Sequence, residues 1–104
     1  MQNSRINIVK IQQFTNASKF LISNHARVRM FQRDISTEKI VQIIANADII
    51  ERYPDDQPCP SALLFAFLLE TPYHVVFAQC EDHLRIVTVY IPDDKMWVDY
   101  KIRG

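Results

Sequence analysis

The apolar residues of this chain change period near Ala47, and that switch restricts the fold more than any other feature of the sequence. Upstream the spacing is helical. Ser36 opens a stretch in which Ile40, Val41, Ile43, Ile44 and Ala47 fall on one face, the pattern of an amphipathic helix with an N-cap serine. Downstream the period is two. Residues 48–53, 61–69, 73–80 and 84–91 read as strands, separated by the proline-rich loop 54–60, a turn at Glu70-Thr71-Pro72 and a tight turn at Glu81-Asp82-His83. The almost wholly apolar stretch 61–69 reads as a central strand covered on both faces. Helices first and hairpin-linked strands after them predict an α+β domain, residues 1–104, with N-terminal helices packed on one face of a four-stranded antiparallel sheet.

Two further helices are expected before Ser36. Asn3-Ser4 can cap one carrying Ile6, Val9, Ile11, Phe14 and Ala17, although Arg5 to Ile8 also alternates as a strand would. After a short extended approach at Phe20-Leu21-Ile22, Ser23 or Asn24 caps a helix that runs to a break at Asp34-Ile35.

The formal net charge of zero hides an asymmetry. Residues 1–46 hold seven basic and two acidic side chains, and residues 47–104 hold five basic and ten acidic ones, so the halves carry +5 and −5. A basic half on a neutral chain suits a protein that meets an anion on one side, or two halves that attract each other when packed. The only glycine is Gly104, which excludes a glycine-rich phosphate loop and a dinucleotide fingerprint. Cys59 and Cys80 form no CxxC pair, and no N-terminal apolar leader is visible. They read as reduced thiols of a cytoplasmic protein. No apolar run is long enough to span a bilayer, so no membrane association is expected.

The candidate chemistry centres on the helix after Ser23. His25, Arg29 and Arg33 recur at i and i+4 and share a face, with Gln32 beside them. An imidazole in the first helical turn next to two guanidiniums can bind an anion and move a proton, and the same face can also be a merely solvated surface. His74 lies in the strand Tyr73-His74-Val75-Val76-Phe77, where it is either a core histidine or a site residue. If the turn at 81–83 holds three residues, Cys80 pairs with Leu84, His74 falls opposite Tyr90, and Val76 falls opposite Thr88. No CxxC, HxxxH or HExxH spacing is present, so no metal site or other cofactor is expected. Trp97 and Tyr100 could stack on a base or close the core.

The string Ser23-x-His25-Ala26-x-x-Arg29-Met30-x-x-Arg33-x-Ile35 resembles the start of a bacterial domain-of-unknown-function family, number forty-two fifty-eight. Further motifs follow in order: Ile49 to Asp56, Pro60-Ser61, Pro72 to Val76, Thr88-Val89-Tyr90-x-Pro92, and Trp97. The resemblance implies one partner of a toxin–antitoxin pair and a fold similar to small ribonuclease toxins of the RelE and barnase type. The function expected is thus metal-independent RNA cleavage. His25 and His74 would transfer protons, Arg29 would stabilise charge on phosphorus, and Tyr90 would supply a weaker proton donor. Arg33, Thr88 and Gln32 would hold the substrate. The expected partners are RNA and an antitoxin protein, with a homodimer as another assembly. The rival reading is a non-catalytic module that binds a partner protein through its basic helix face.

Overall fold

The computed structural model describes residues 6–92 and, beyond them, the backbone of two short strands. Three helices precede most of the sheet. Helix α1 (Ile8–Asn16) is capped by Asn7, whose side chain accepts from the amides of Val9 and Lys10, rather than from Asn3-Ser4, which lie outside the described residues. Helix α2 (Asn24–Gln32) is capped by Ser23 and helix α3 (Thr37–Ala45) by Ser36. Each of these two serines accepts from an amide in its helix's first turn, as an N-cap must.

The sheet has five strands rather than four, and it is mixed rather than antiparallel. Phe20–Ile22 is not only an approach to α2. It forms strand β1, which pairs in parallel with β5 (Leu84–Tyr90) along the sheet edge. The reason is packing: Phe20 and Ile22 turn inward onto the core, while Leu21 points away. Strands β2 (Asp48–Tyr53), β3 (Ser61–Leu68) and β4 (Thr71–Gln79) complete the order β1-β5-β4-β3-β2. β4 is therefore the middle strand, and β3, expected there, lies between β4 and the edge strand β2. Both edges are poor templates for further pairing, one being three residues long and the other carrying a bulge between Ile49 and Glu51. The backbone at 97–98 and 102–103 forms a separate two-stranded sheet, β6 with β7. The side chain of Trp97, and all of Tyr100, lie outside the described residues.

The pairing register separates two faces. Ala62, Leu64, Ala66, Tyr73, Val75, Phe77, Ile86 and Val89 pack with Ile11, Ala26, Met30, Ile40, Ile43 and Ile44 of the helices. The opposite face carries Ser61, Leu63, Phe65, His74, Val76, Ala78, Arg85, Thr88 and Tyr90.

With no interior glycine, left-handed backbone falls on other residues: Ser18, Asp34, Leu69 and Glu70 all have positive φ. Asp34 ends α2 in a Schellman motif, its amide bonding to Phe31 O and that of Ile35 to Met30 O. Ser18 does the same for α1, through Thr15 O and Phe14 O. Leu69 and Glu70 form the two-residue turn between β3 and β4, with positive φ at both positions, so the turn lies just before the Glu70-Thr71-Pro72 expected. That placement sets the ladder so that Cys59 and Cys80 meet beyond its end. They form a disulfide with a Cα–Cα distance of 5.1 Å, and the described residues hold no free cysteine. The expected pair of reduced thiols is thereby corrected.

Candidate functional site

The site is built where α2 begins and β5 is irregular. Gln79 pairs with Leu84, so the β4–β5 connection is a four-residue loop, Cys80 to His83, closed by a bond from Cys80 N to His83 O. Three residues beyond Leu84, Val87 is an extra residue of β5, and beyond it the pairs are Val76 with Thr88 and His74 with Tyr90. Ser23 seizes this bulge. Its amide donates to Ile86 O at 3.0 Å and its hydroxyl donates to Val87 O at 2.8 Å, while the same oxygen caps α2. The first turn of α2, with His25, is thus fixed beside Val87. Tyr90 lies three residues along the strand, roughly 10 Å away.

His74 and Tyr90 come together as the register requires. The imidazole Nδ1 lies 3.1 Å from the phenolic oxygen, and the rings meet edge to face at 5.1 Å. Phe65, opposite His74 on β3, packs edge-on against the imidazole. His74 is fully buried, whereas Tyr90 and Thr88 are half-buried. Val76 and Thr88 occupy the adjoining row of the same face.

On α2, Arg29 is half-buried and donates from Nη1 to Gln32 Oε1 at 3.3 Å. His25, Gln32 and Arg33 are exposed. Among the described residues, the side chains of His25, Arg27, Arg33 and Arg85 have no hydrogen-bond or ion-pair partner, so these groups remain available to an anion. Arg27 and Arg85 were not expected as site residues. Neither shows in the alternation of the sequence: Arg27 lies on a helix, and Arg85 stands opposite Ala78 because the β4–β5 loop holds four residues rather than three.

Two more polar pairs share that face and also escaped the sequence. Tyr53 donates its hydroxyl to Glu51, and Ser61 donates to Asp56. Their signal was the every-second-residue spacing of Glu51 and Tyr53 and the position of Asp56 in the proline-rich loop. Among the described residues, no three His, Cys, Asp or Glu side chains converge as a metal cluster.

A family model described as Domain of unknown function (DUF4258) matches residues 22–91. The chain belongs to the DUF4258 family. The match runs from the end of β1 to just beyond β5, so the DUF4258 region includes the whole of α2, the His74–Tyr90 pair and the disulfide. No curated protein and no solved structure matches the chain significantly. Among the described residues, no helix is long and apolar enough to cross a membrane.

Proposed function

We propose that this domain is a small metal-independent ribonuclease, the toxin of a toxin–antitoxin pair, with RNA as substrate and an antitoxin protein as partner. The observation that carries the reading is the attachment of the first turn of α2 to the bulge of β5. It ties the cap of the helix that carries the exposed His25 to a strand whose outward groups beyond that tie are Thr88 and Tyr90.

The chemistry assigns roles. One group takes the proton of a ribose 2′-hydroxyl, whose oxygen attacks phosphorus. The leaving 5′-oxygen receives a proton, and a 2′,3′-cyclic phosphate remains. His25 and Tyr90 are the reachable proton carriers. His74, buried beneath Tyr90, is a positioning residue that holds the phenol. Arg29 and Arg33 counter the charge growing on phosphorus, since a guanidinium donates two bonds at once to phosphate oxygens. Gln32 and Thr88 hold the substrate.

The test is direct. Purified protein should cleave RNA in excess EDTA and leave cyclic phosphate termini, and His25→Ala should slow cleavage at least about a hundredfold, the lower range for lost acid–base catalysis. A wild-type protein inert on diverse RNAs overturns the reading.

A second reading has its own support. Val28 and Phe31 of α2 are 54% and 89% exposed, and they stand among Arg27, Arg29 and Arg33 with no acidic residue on the helix. An apolar pair ringed by cations fits an acidic, apolar segment of a partner protein.

A further inference from the structure

A cleft of about 380 Å³ opens on the site face between the 56–59 loop and β5. Its floor is Val76 and Ala78, one wall is Pro58 and Cys59 of the disulfide-tethered loop, and its ends differ in charge. At one end Ser61 is bonded to the Asp56 carboxylate, and at the other stands Arg85. Ser61 lies on β3 and Arg85 on β5, each register-paired with Ala78 of β4, so the ends are two strand spacings apart, roughly 10 Å. Arg85 and Ser23 also line an adjoining cleft of about 480 Å³ that includes Asn24 and Arg27 at the start of α2. The two clefts thus meet at the Arg85 guanidinium.

We infer that this cleft is a nucleotide subsite in which Asp56 reads a base, Val76 and Ala78 carry its ring, and Arg85 holds the adjoining phosphate, with Arg27 placed for the next one. This rests on the ribonuclease reading and names the part of the substrate that its face would select. The base follows from the chemistry of the reader. An ionised carboxylate only accepts hydrogen bonds. One Asp56 oxygen already accepts from Ser61, which ties the carboxylate to the start of β3. The matching base edge must offer adjacent N–H donors without an intervening acceptor. Guanine offers its ring N–H and exocyclic amine side by side. Uracil, whose single N–H is flanked by two carbonyls, is the poorest match. At the far end, Arg85 has no ion-pair partner among the described residues and offers a planar fork for a phosphate.

The test uses the full chain and nucleoside 5′-monophosphates, followed by methyl NMR of Val76, Ala78 and Val87 and by calorimetry. Guanosine monophosphate should shift these methyls and bind more tightly than uridine monophosphate. Arg85→Gln should weaken every nucleotide at least about tenfold, as the loss of a charge-assisted contact implies, and should leave the free nucleoside guanosine unaffected. Asp56→Asn should abolish the guanine preference while retaining phosphate binding. If Arg85→Gln does not fold, Arg85→Lys, which keeps the charge but loses the fork, should give intermediate affinity. The inference is overturned if guanosine monophosphate leaves the three methyls unmoved, if uridine monophosphate binds as tightly, or if the Arg85 variants bind as wild type. Guanosine monophosphate bound in this cleft by a protein that leaves RNA intact keeps the subsite and removes the ribonuclease. RNA cleaved by Asp56→Asn and Arg85→Gln at the wild-type rate and base preference keeps the ribonuclease and removes the subsite.

Discussion

Cys59 and Cys80 stand opposite each other on the continuation of the ladder that pairs Leu68 with Thr71 and Ser61 with Ala78. The bond from Gln79 N to Pro60 O extends that ladder one step toward them. The disulfide thus fastens the proline-rich loop to the end of the middle strand, and it closes a loop with a sequence separation of 21. Replacing both cysteines by alanine should lower unfolding free energy by about 3 kcal/mol, the chain-entropy value for a loop of this size. Urea denaturation of oxidised wild type and double mutant checks this, with the reduced wild type expected to match the mutant.

The left-handed residues leave stability to be gained. Asp34→Gly keeps the Schellman geometry without a Cβ in the αL region and should raise stability by about 1 kcal/mol. Replacing Leu69-Glu70 by Asn-Gly gives the β3–β4 turn the residues its positive φ values favour, and should add about 1–2 kcal/mol. Leu69 is 88% exposed, so no packing is lost. Thermal melts of the two variants, alone and combined, should show additive gains because the sites have no shared partner.

Tyr90→Phe separates chemistry from structure. Removing the hydroxyl takes a partner from the buried His74 ring, and this should cost about 1–3 kcal/mol. His74→Asn should impair folding more than Tyr90→Phe, because it also opens space beside Phe65. If Tyr90 carries a proton, Tyr90→Phe should lose RNA cleavage at temperatures where it is fully folded. Rates measured well below each variant's melting temperature decide the point.

At the tip of the β4–β5 loop, the hydrogen bond from His83, 2.7 Å from Asp82 Oδ1, holds the Asp82 carboxyl below the usual aspartate range, and nearby Lys19 adds a smaller pull. A carboxyl with a depressed folded pKa supports the fold above its ordinary pKa and loses that support as pH falls through the folded value. Carbon-detected NMR titration should show Asp82 titrating lower than a free aspartate, and His83→Ala should move it upward.

Much of the fold was legible because its signals are local. Ser23 and Ser36 announce α2 and α3, and the alternation after Ala47 announces four of the strands. What was not legible depends on register. A turn placed at 70–72 instead of Leu69-Glu70 puts Cys59 opposite His83, so the disulfide could not be seen. The parallel pairing of β1 is invisible in three residues, because nothing in Phe20-Leu21-Ile22 names its partner. The His74–Tyr90 pairing was reached by two compensating differences: the loop begins one residue earlier than expected, and the extra residue Val87 restores the frame. In the candidate site, the basic face of α2 was readable from helical spacing. Arg85, Asp56 and Ser61 were not, since their convergence depends on that same frame and on the tethered loop.

The extra residue at Val87 has a consequence for how this strand can vary. Before it, the outward side chain is odd-numbered Arg85. After it, the outward side chains are even-numbered Thr88 and Tyr90. A guanidinium and a phenol share one surface only because the strand changes parity between them. A one-residue deletion there would turn either the cation or the hydroxyls into the apolar layer under the helices. The spacing from Arg85 to Tyr90 should therefore tolerate substitution far better than any change in length.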